Sequence, residues 1–249
     1  MTTFSRLRRL NVAAAILHLG QAVAVAALAN DFALPVTGFY WNDVPSGELD
    51  PSRLVREFDV SIAWGVFAFL FLSFFFHAIV SFGPGRRVYE AEVTKEQNRF
   101  RWVEYSLSST IMIIMIAMVF GVTDLAALLG LAGANVSMIL FGWIMEVVNE
   151  PGTAVWWTPF WFGCIAGIVP WIALFFYVIG PGSNTPSFVY GIFVSLFIFF
   201  NLFALNQWLQ YRRVGKWVSY PYGERVYLVL SLVAKSLLAW QIFGNTLAV

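Results

Sequence analysis

Apolar residues fall into seven long runs, and each run ends in residues that turn the chain. The first extends from about Leu10 to Asn30, the second from Asp59 to Phe82 and the third from Trp102 to Gly121. The fourth covers Leu125 to Val148, the fifth Trp156 to Ile179, the sixth Ser187 to Tyr211 and the seventh Arg225 to Leu247. Each is long enough to cross a bilayer core, which needs roughly 20 apolar residues in helical form. None alternates with the period of two that a membrane barrel requires, and in lipid only helices or closed barrels satisfy the backbone. The pattern therefore predicts an all-α, seven-helix membrane bundle, with no soluble domain and no internal repeat. The breaks are Gly83-Pro84-Gly85, Thr123-Asp124, Asn149-Glu150-Pro151-Gly152 and Gly180-Pro181-Gly182-Ser183-Asn184. One polar stretch, Asp31 to Arg56, is long enough for a small structured excursion, with a hairpin expected through Val36–Trp41.

Composition agrees with this pattern. The chain is 59% hydrophobic and 12% charged, against ~25% charged in an ordinary soluble domain. A net charge of +1 gives no field directed at nucleic acid. The single cysteine, Cys164, excludes a disulfide framework, and no Cys/His spacing suits zinc. The basic start, Met1 to Arg9, runs into Leu10 without a small-residue cleavage site, so the first run is expected to be retained.

Basic residues set the expected orientation. Arg6, Arg8 and Arg9 precede the first run; Arg86, Arg87, Lys95, Arg99 and Arg101 lie between the second and third; Arg212, Arg213, Lys216 and Arg225 lie between the sixth and seventh. All share one side. The other side has only Arg53 and Arg56, among Asp31, Asp43, Glu48, Asp50 and Glu57. The N-terminus is expected in the cytoplasm and the C-terminus outside, in the cell membrane.

One basic residue remains, Lys235, in the middle of the seventh run. A mid-span ammonium costs about 2.5–3.5 kcal/mol on insertion scales. It lies ~10 residues, or ~15 Å, from the helix start, too deep to reach the headgroups easily. Such a lysine either closes a structural ion pair or acts as a nucleophile that forms an imine with a carbonyl cofactor. Its expected partner is Glu104, one turn into the third run; Glu146 is the rival, read as a headgroup-level carboxylate. His18 and His77 fall at the depth of Glu104 on two other helices, which suggests one polar cavity; each alone would be an ordinary packing histidine. Ser231, four residues before Lys235, shares its helical face and could bond the lysine nitrogen or its own helix. Arg101 is expected to pair with Glu224 at the mouth of the seventh helix and close the cavity. Trp156, Trp157, Trp217 and Tyr220 read as interfacial belt residues.

Seven helices with a lone lysine in the last resemble the microbial rhodopsins, and in detail their heliorhodopsin branch. The residues that carry this are the cytoplasmic N-terminus, Arg101-Trp102-Val103-Glu104-Tyr105-Ser106-Leu107-Ser108, Ser231-Leu232-Val233-Ala234-Lys235-Ser236, and the pair His18 and His77. The resemblance implies retinal, all-trans in the dark, on a Lys235 Schiff base with Glu104 as counterion. It implies a pocket of Tyr105, Ser109, Asn135, Met138, Ile139, Gly142, Phe200, Phe203, Gln207 and Ser231, with His18 and His77 as a proton-accepting cavity. It also implies a homodimer. The pattern departs from the pumps: Ser231 stands where they carry a second carboxylate, and Met115 where proton pumps place a donor. From Ile111 to Phe120 no side chain titrates, and Asp124 is ~30 Å from Glu104 along the helix. The expectation is a light-sensing receptor, neither enzyme nor pump, acting on an unidentified cytoplasmic or membrane partner. A light-driven or light-gated proton transporter is the alternative.

Overall fold

The computed structural model describes residues 3–41, 44, 47, 50–180 and 185–246. Asp43, Pro45, Glu48, the turn residues 181–184 and Leu247 lie outside the described residues.

Seven helices are long and apolar enough to span a membrane. They are α1 (Thr3–Ala27), α2 (Ile62–Ser81), α4 (Arg99–Val119), α5 (Leu125–Val148), α6 (Thr158–Ile179), α7 (Ser187–Tyr211) and α8 (Tyr220–Thr246). The fourth and sixth apolar runs coincide with α5 and α7. Elsewhere polar residues join the helices: Arg6, Arg8 and Arg9 lie within α1, and α8 begins five residues before Arg225. Side chains at the helix starts fix several boundaries. Ser61 accepts from Trp64 N at 3.5 Å to start α2. Asn98 accepts from Arg101 N at 3.1 Å to start α4, and Asp124 accepts from Ala127 N at 2.8 Å to start α5.

Two features differ from the sequence expectation. The charged loop before α4 contains a further helix, α3 (Gly83–Thr94). Pro84 sits in its first turn, an Arg86–Glu90 pair at 2.7 Å spans one turn, and Tyr89, Glu92 and Val93 are buried. Twelve residues with a few apolar positions carry too little hydropathy to stand out beside membrane spans. The hairpin also has a different form. Val36–Phe39 does not turn but continues strand β1 (Ala33–Phe39), which pairs antiparallel with β2 (Leu54–Ser61) through a bulge between Val36 and Thr37. The ribbon is fastened to the α4–α5 turn, where Thr37 N donates to Thr123 O at 2.8 Å and the two threonine hydroxyls meet at 3.0 Å.

The interior is layered. Towards the hairpin end it is apolar, with Ile62, Phe69, Met112, Met115, Ile116, Leu238, Ile242 and Phe243 fully packed. At the opposite, arginine-rich end, Leu7, Val80, Tyr89, Val93 and Tyr220 form a smaller cluster. The buried charged side chains lie between these layers or at the arginine-rich end.

Candidate functional site

Lys235 on α8 is 3% exposed and its ammonium donates to Glu104 on α4, itself 4% exposed. This pairing follows from helix direction: α4 and α8 both start at the arginine-rich end, and one turn of α4 meets the middle of α8. The Ser73 hydroxyl of α2 stands 2.7 Å from Glu104 Oε1, so the carboxylate has a neutral donor besides the lysine. Sequence reading missed Ser73, since a lone serine in a phenylalanine-rich span carries no signal. The ammonium also lies 5.2 Å from the Tyr105 ring centroid. His18 and His77 do come together, their rings stacked at 5.6 Å and nearly parallel. His77 Nδ1 lies 2.8 Å from Asn11 Oδ1. A cavity of about 40 Å³, room for water, connects His77 and Asn11 with Glu104, Arg101 and Glu224.

On the other side of Lys235 is a cavity of about 360 Å³, within the ~300–1,000 Å³ typical of small-molecule sites. Tyr105, Ser109, Met138, Ile139, Gly142, Phe200, Phe203, Gln207 and Ser231 line it together with Lys235. Lys235 therefore joins the large cavity to the small one that Glu104 faces. Asn135 is corrected: it is not in the wall but behind it, 1% exposed, donating to Ser109 Oγ at 2.8 Å and Thr110 Oγ1 at 2.9 Å. A buried amide needs such partners, and these turn it towards α4. Sequence reading missed Trp102, Gly163, Gly167, Trp171 and Tyr227 in the wall. The available signal was Gly163 and Gly167, one turn apart on α6. A Cβ at Gly142 would lie 2.5 Å from the Trp102 ring, and one at Gly167 would lie 2.5 Å from Met138 Sδ. These glycines let bulky side chains lie flat against helix backbone, leaving a slot with a primary amine at one end.

Towards the arginine-rich end, Arg101 is ion-paired with both Glu146 and Glu224. The Arg101–Glu224 pair stands where the sequence placed it. Glu146 is not solvated: it is 3% exposed, and takes Trp102 Nε1 at 2.6 Å, Tyr220 Oη at 2.8 Å and Asn98 N at 3.0 Å besides Arg101. A carboxylate is buried when donors and a counter-charge replace its water, and α5 turns Glu146 towards all of these. Tyr220, which makes one of these bonds, is likewise buried. Asn98 Nδ2 donates to Glu224 Oε2 at 2.7 Å. The Arg101 guanidinium packs 4.0 Å from the Tyr227 centroid and 4.5 Å from that of Trp102, two residues that also wall the large cavity. On α3, burial pushes the Tyr89 phenol up to about 12, so this wall of the small cavity stays uncharged.

No curated protein sequence matches the chain. Its fold matches solved microbial rhodopsins. A light-driven proton pump of Leptosphaeria maculans is 14% identical, with TM-score 0.68 over 96% of this chain and 94% of that one. Exiguobacterium sibiricum rhodopsin is also 14% identical, with TM-score 0.68 over 98% and 96%. The transmembrane domain of the Salpingoeca rosetta rhodopsin phosphodiesterase is 11% identical, with TM-score 0.64 over 97% and 86%. At these identities the likeness is one of fold. The sequence profile of the heliorhodopsins matches residues 7–247, so this chain belongs to the heliorhodopsin family.

Proposed function

We propose that the protein is a non-pumping, retinal-binding light receptor of the cell membrane, with Lys235 as the attachment residue and Glu104 as its counter-charge. The observation that carries this is a buried primary amine at one end of an aromatic cavity of about 360 Å³, with a carboxylate on its far side. The residues fit the group: the slot is walled by Tyr105, Phe203, Trp171 and Phe200, and Gly142, Gly163 and Gly167 keep it open. When bound through a Schiff base, retinal supplies a polyene that absorbs visible light and changes shape. The chain's own residues do the rest. Glu104 holds a proton on the Lys235 nitrogen by its negative charge, and Ser73 keeps that carboxylate oriented. Ser231 lies one turn away in the same wall. The imidazoles of His77, which meets Asn11 Oδ1, and of the stacked His18 offer proton-accepting nitrogens beside Glu104.

The apolar layer supports a proton that leaves and returns on one side. From Lys235 towards the hairpin end, α8 presents Leu238, Ala239, Ile242 and Phe243, and α4 presents Met112, Met115, Ile116 and Met118, all buried. Ser195 and Gln241 meet there at 3.2 Å but do not titrate. Asp124 is exposed at the far turn, capping α5. Cells making the retinal-loaded protein should show no light-driven pH change that a protonophore abolishes. A sustained flux with the action spectrum of the pigment would establish the proton-transporter alternative instead.

The arginines at the ends of α1, α3 and α7 favour placing that end, with the N-terminus, in the cytoplasm. The receptor acts as a homodimer and passes its signal to a partner on that side. Cross-linking in native membranes should give a species of twice the chain mass; a monomer alone would refute the dimer. Among solved neighbours, one carries a phosphodiesterase in its name; this chain's site supports light reception without an enzymatic step of its own.

A further inference from the structure

The buried cluster at the arginine-rich end lies between the large cavity and a second opening. That opening is a vestibule of about 320 Å³ between the α5–α6 and α7–α8 loops, lined among others by Glu96, Thr153, Tyr211, Arg212, Trp217 and Tyr220. Trp102 walls the large cavity and Tyr220 walls the vestibule. One side chain joins them. Glu146 takes the Trp102 indole N–H on Oε2 at 2.6 Å and the Tyr220 hydroxyl on Oε1 at 2.8 Å.

We propose that Glu146 is the joint through which a change of shape in the large cavity is delivered to the α7–α8 loop, making the vestibule the receptor's output surface. This rests on the light-receptor reading above. The arrangement suits the task for three reasons. Both oxygens of Glu146 are committed, Oε2 also to Asn98 N and Oε1 also to Arg101. The indole therefore cannot turn without pulling the carboxylate or leaving buried polar groups unpaired, which is unfavourable enough to make the cluster switch rather than stretch. The Trp102 ring has little slack, since it lies against the Gly142 backbone on one side and near the Arg101 guanidinium. Tyr220 is the first residue of α8, directly after the loop residues 212–219. A shift of its hydroxyl changes where that loop ends. The loop is tied mostly by short-range backbone bonds, with Trp217 Nε1 to Asn206 Oδ1 at 2.6 Å and Arg213 Nη2 to Glu96 Oε2 at 3.1 Å as side-chain anchors, and Gln210 Nε2 to Tyr220 O at 3.4 Å spans its two ends. Coupling of this kind runs through packed groups with two discrete arrangements. It is reciprocal in binding, so an occupant of the vestibule would in turn bias the cavity.

The test is amide hydrogen exchange of residues 212–219 in the retinal-loaded protein, in the dark and under continuous light. Wild type should exchange faster in light across this segment. Tyr220→Phe removes only the hydroxyl, and should keep the visible band while losing the light-dependent difference. Glu146→Gln should do the same, and Tyr220→Phe stands in for it if the buried substitution does not fold. A chain with no visible band would fail the light-receptor reading itself. A chain with the band but no light-dependent exchange at 212–219, or a difference that persists unchanged in Tyr220→Phe, would overturn the joint at Glu146. A structural role for Glu146 alone would raise exchange equally in dark and light, and that outcome also overturns it.

Discussion

Lys235→Ala should abolish the visible absorption band altogether, because the cavity contains no other primary amine. The substitution also strips Glu104 of its counter-charge, leaving a carboxylate 4% exposed with Ser73 as its remaining close donor. Breaking a buried ion pair from one side costs about 3–5 kcal/mol, so the single variant should lose stability as well as colour. The pair Lys235→Ala with Glu104→Gln removes both charges and should recover much of that stability while remaining colourless. Comparing spectra and melting curves of the two separates attachment from folding. Lys235→Arg keeps the charge and should keep the fold, yet a guanidinium cannot form the imine, so it too should be colourless. A visible band in any of the three would refute Lys235 as the attachment point.

Glu104→Gln should move the absorption of the loaded protein at neutral pH from the visible to the near ultraviolet. The protonated nitrogen is favoured by an opposite charge within ~4–6 Å, and Glu104 is the carboxylate on Lys235. Glu146 and Glu224 are already engaged by Arg101. Without Glu104 the nitrogen faces Ser73, Ser231, Tyr105 and the histidines, none of which carries a fixed negative charge. The proton should then be lost at a lower pH than in wild type. Each pH unit of displacement corresponds to about 1.36 kcal/mol, and a buried charge pair can supply several such units. Glu104→Asp retains the charge on a shorter stem and should keep a visible band, displaced in wavelength. An unchanged band and titration in Glu104→Gln would assign the counter-charge to another group.

The spans were legible because a bilayer demands length and hydropathy together, and two of them match to the residue. Lys235 and Glu104 were legible because a charge in such a run is too costly to be incidental. Arg101 and Glu224 could be paired by depth alone. The rest depended on direction around each helix axis, which a run that is apolar on all sides does not encode. Asn135 and Ser109 lie on neighbouring helices, and only packing decides which of them reaches the cavity. Glu146 looked interfacial because it lies near the end of α5; the donors that bury it come from α4 and α8, far away in sequence. Helix α3 was hidden by its own modest polarity, and β2 by charged residues on an exposed strand that begins after a proline.

The clasp between Thr37 and Thr123 has a mechanical consequence. It ties the strand ribbon, and with it the start of α2, to the corner joining α4 and α5. At the opposite end α4 and α5 meet again through the side chains around Glu146, so a tilt of α4 pivots at the clasp and is taken up by that cluster. Glu104 sits partway along α4 and is paired with Lys235 of α8, so a small sideways push on α4 there grows with distance from the pivot and is largest where the arginines are. The same clasp stiffens the far side against opening, which a passage through the bundle would require. A corner pinned in this way directs a push near the middle of α4 towards the arginine-rich surface and away from the hairpin.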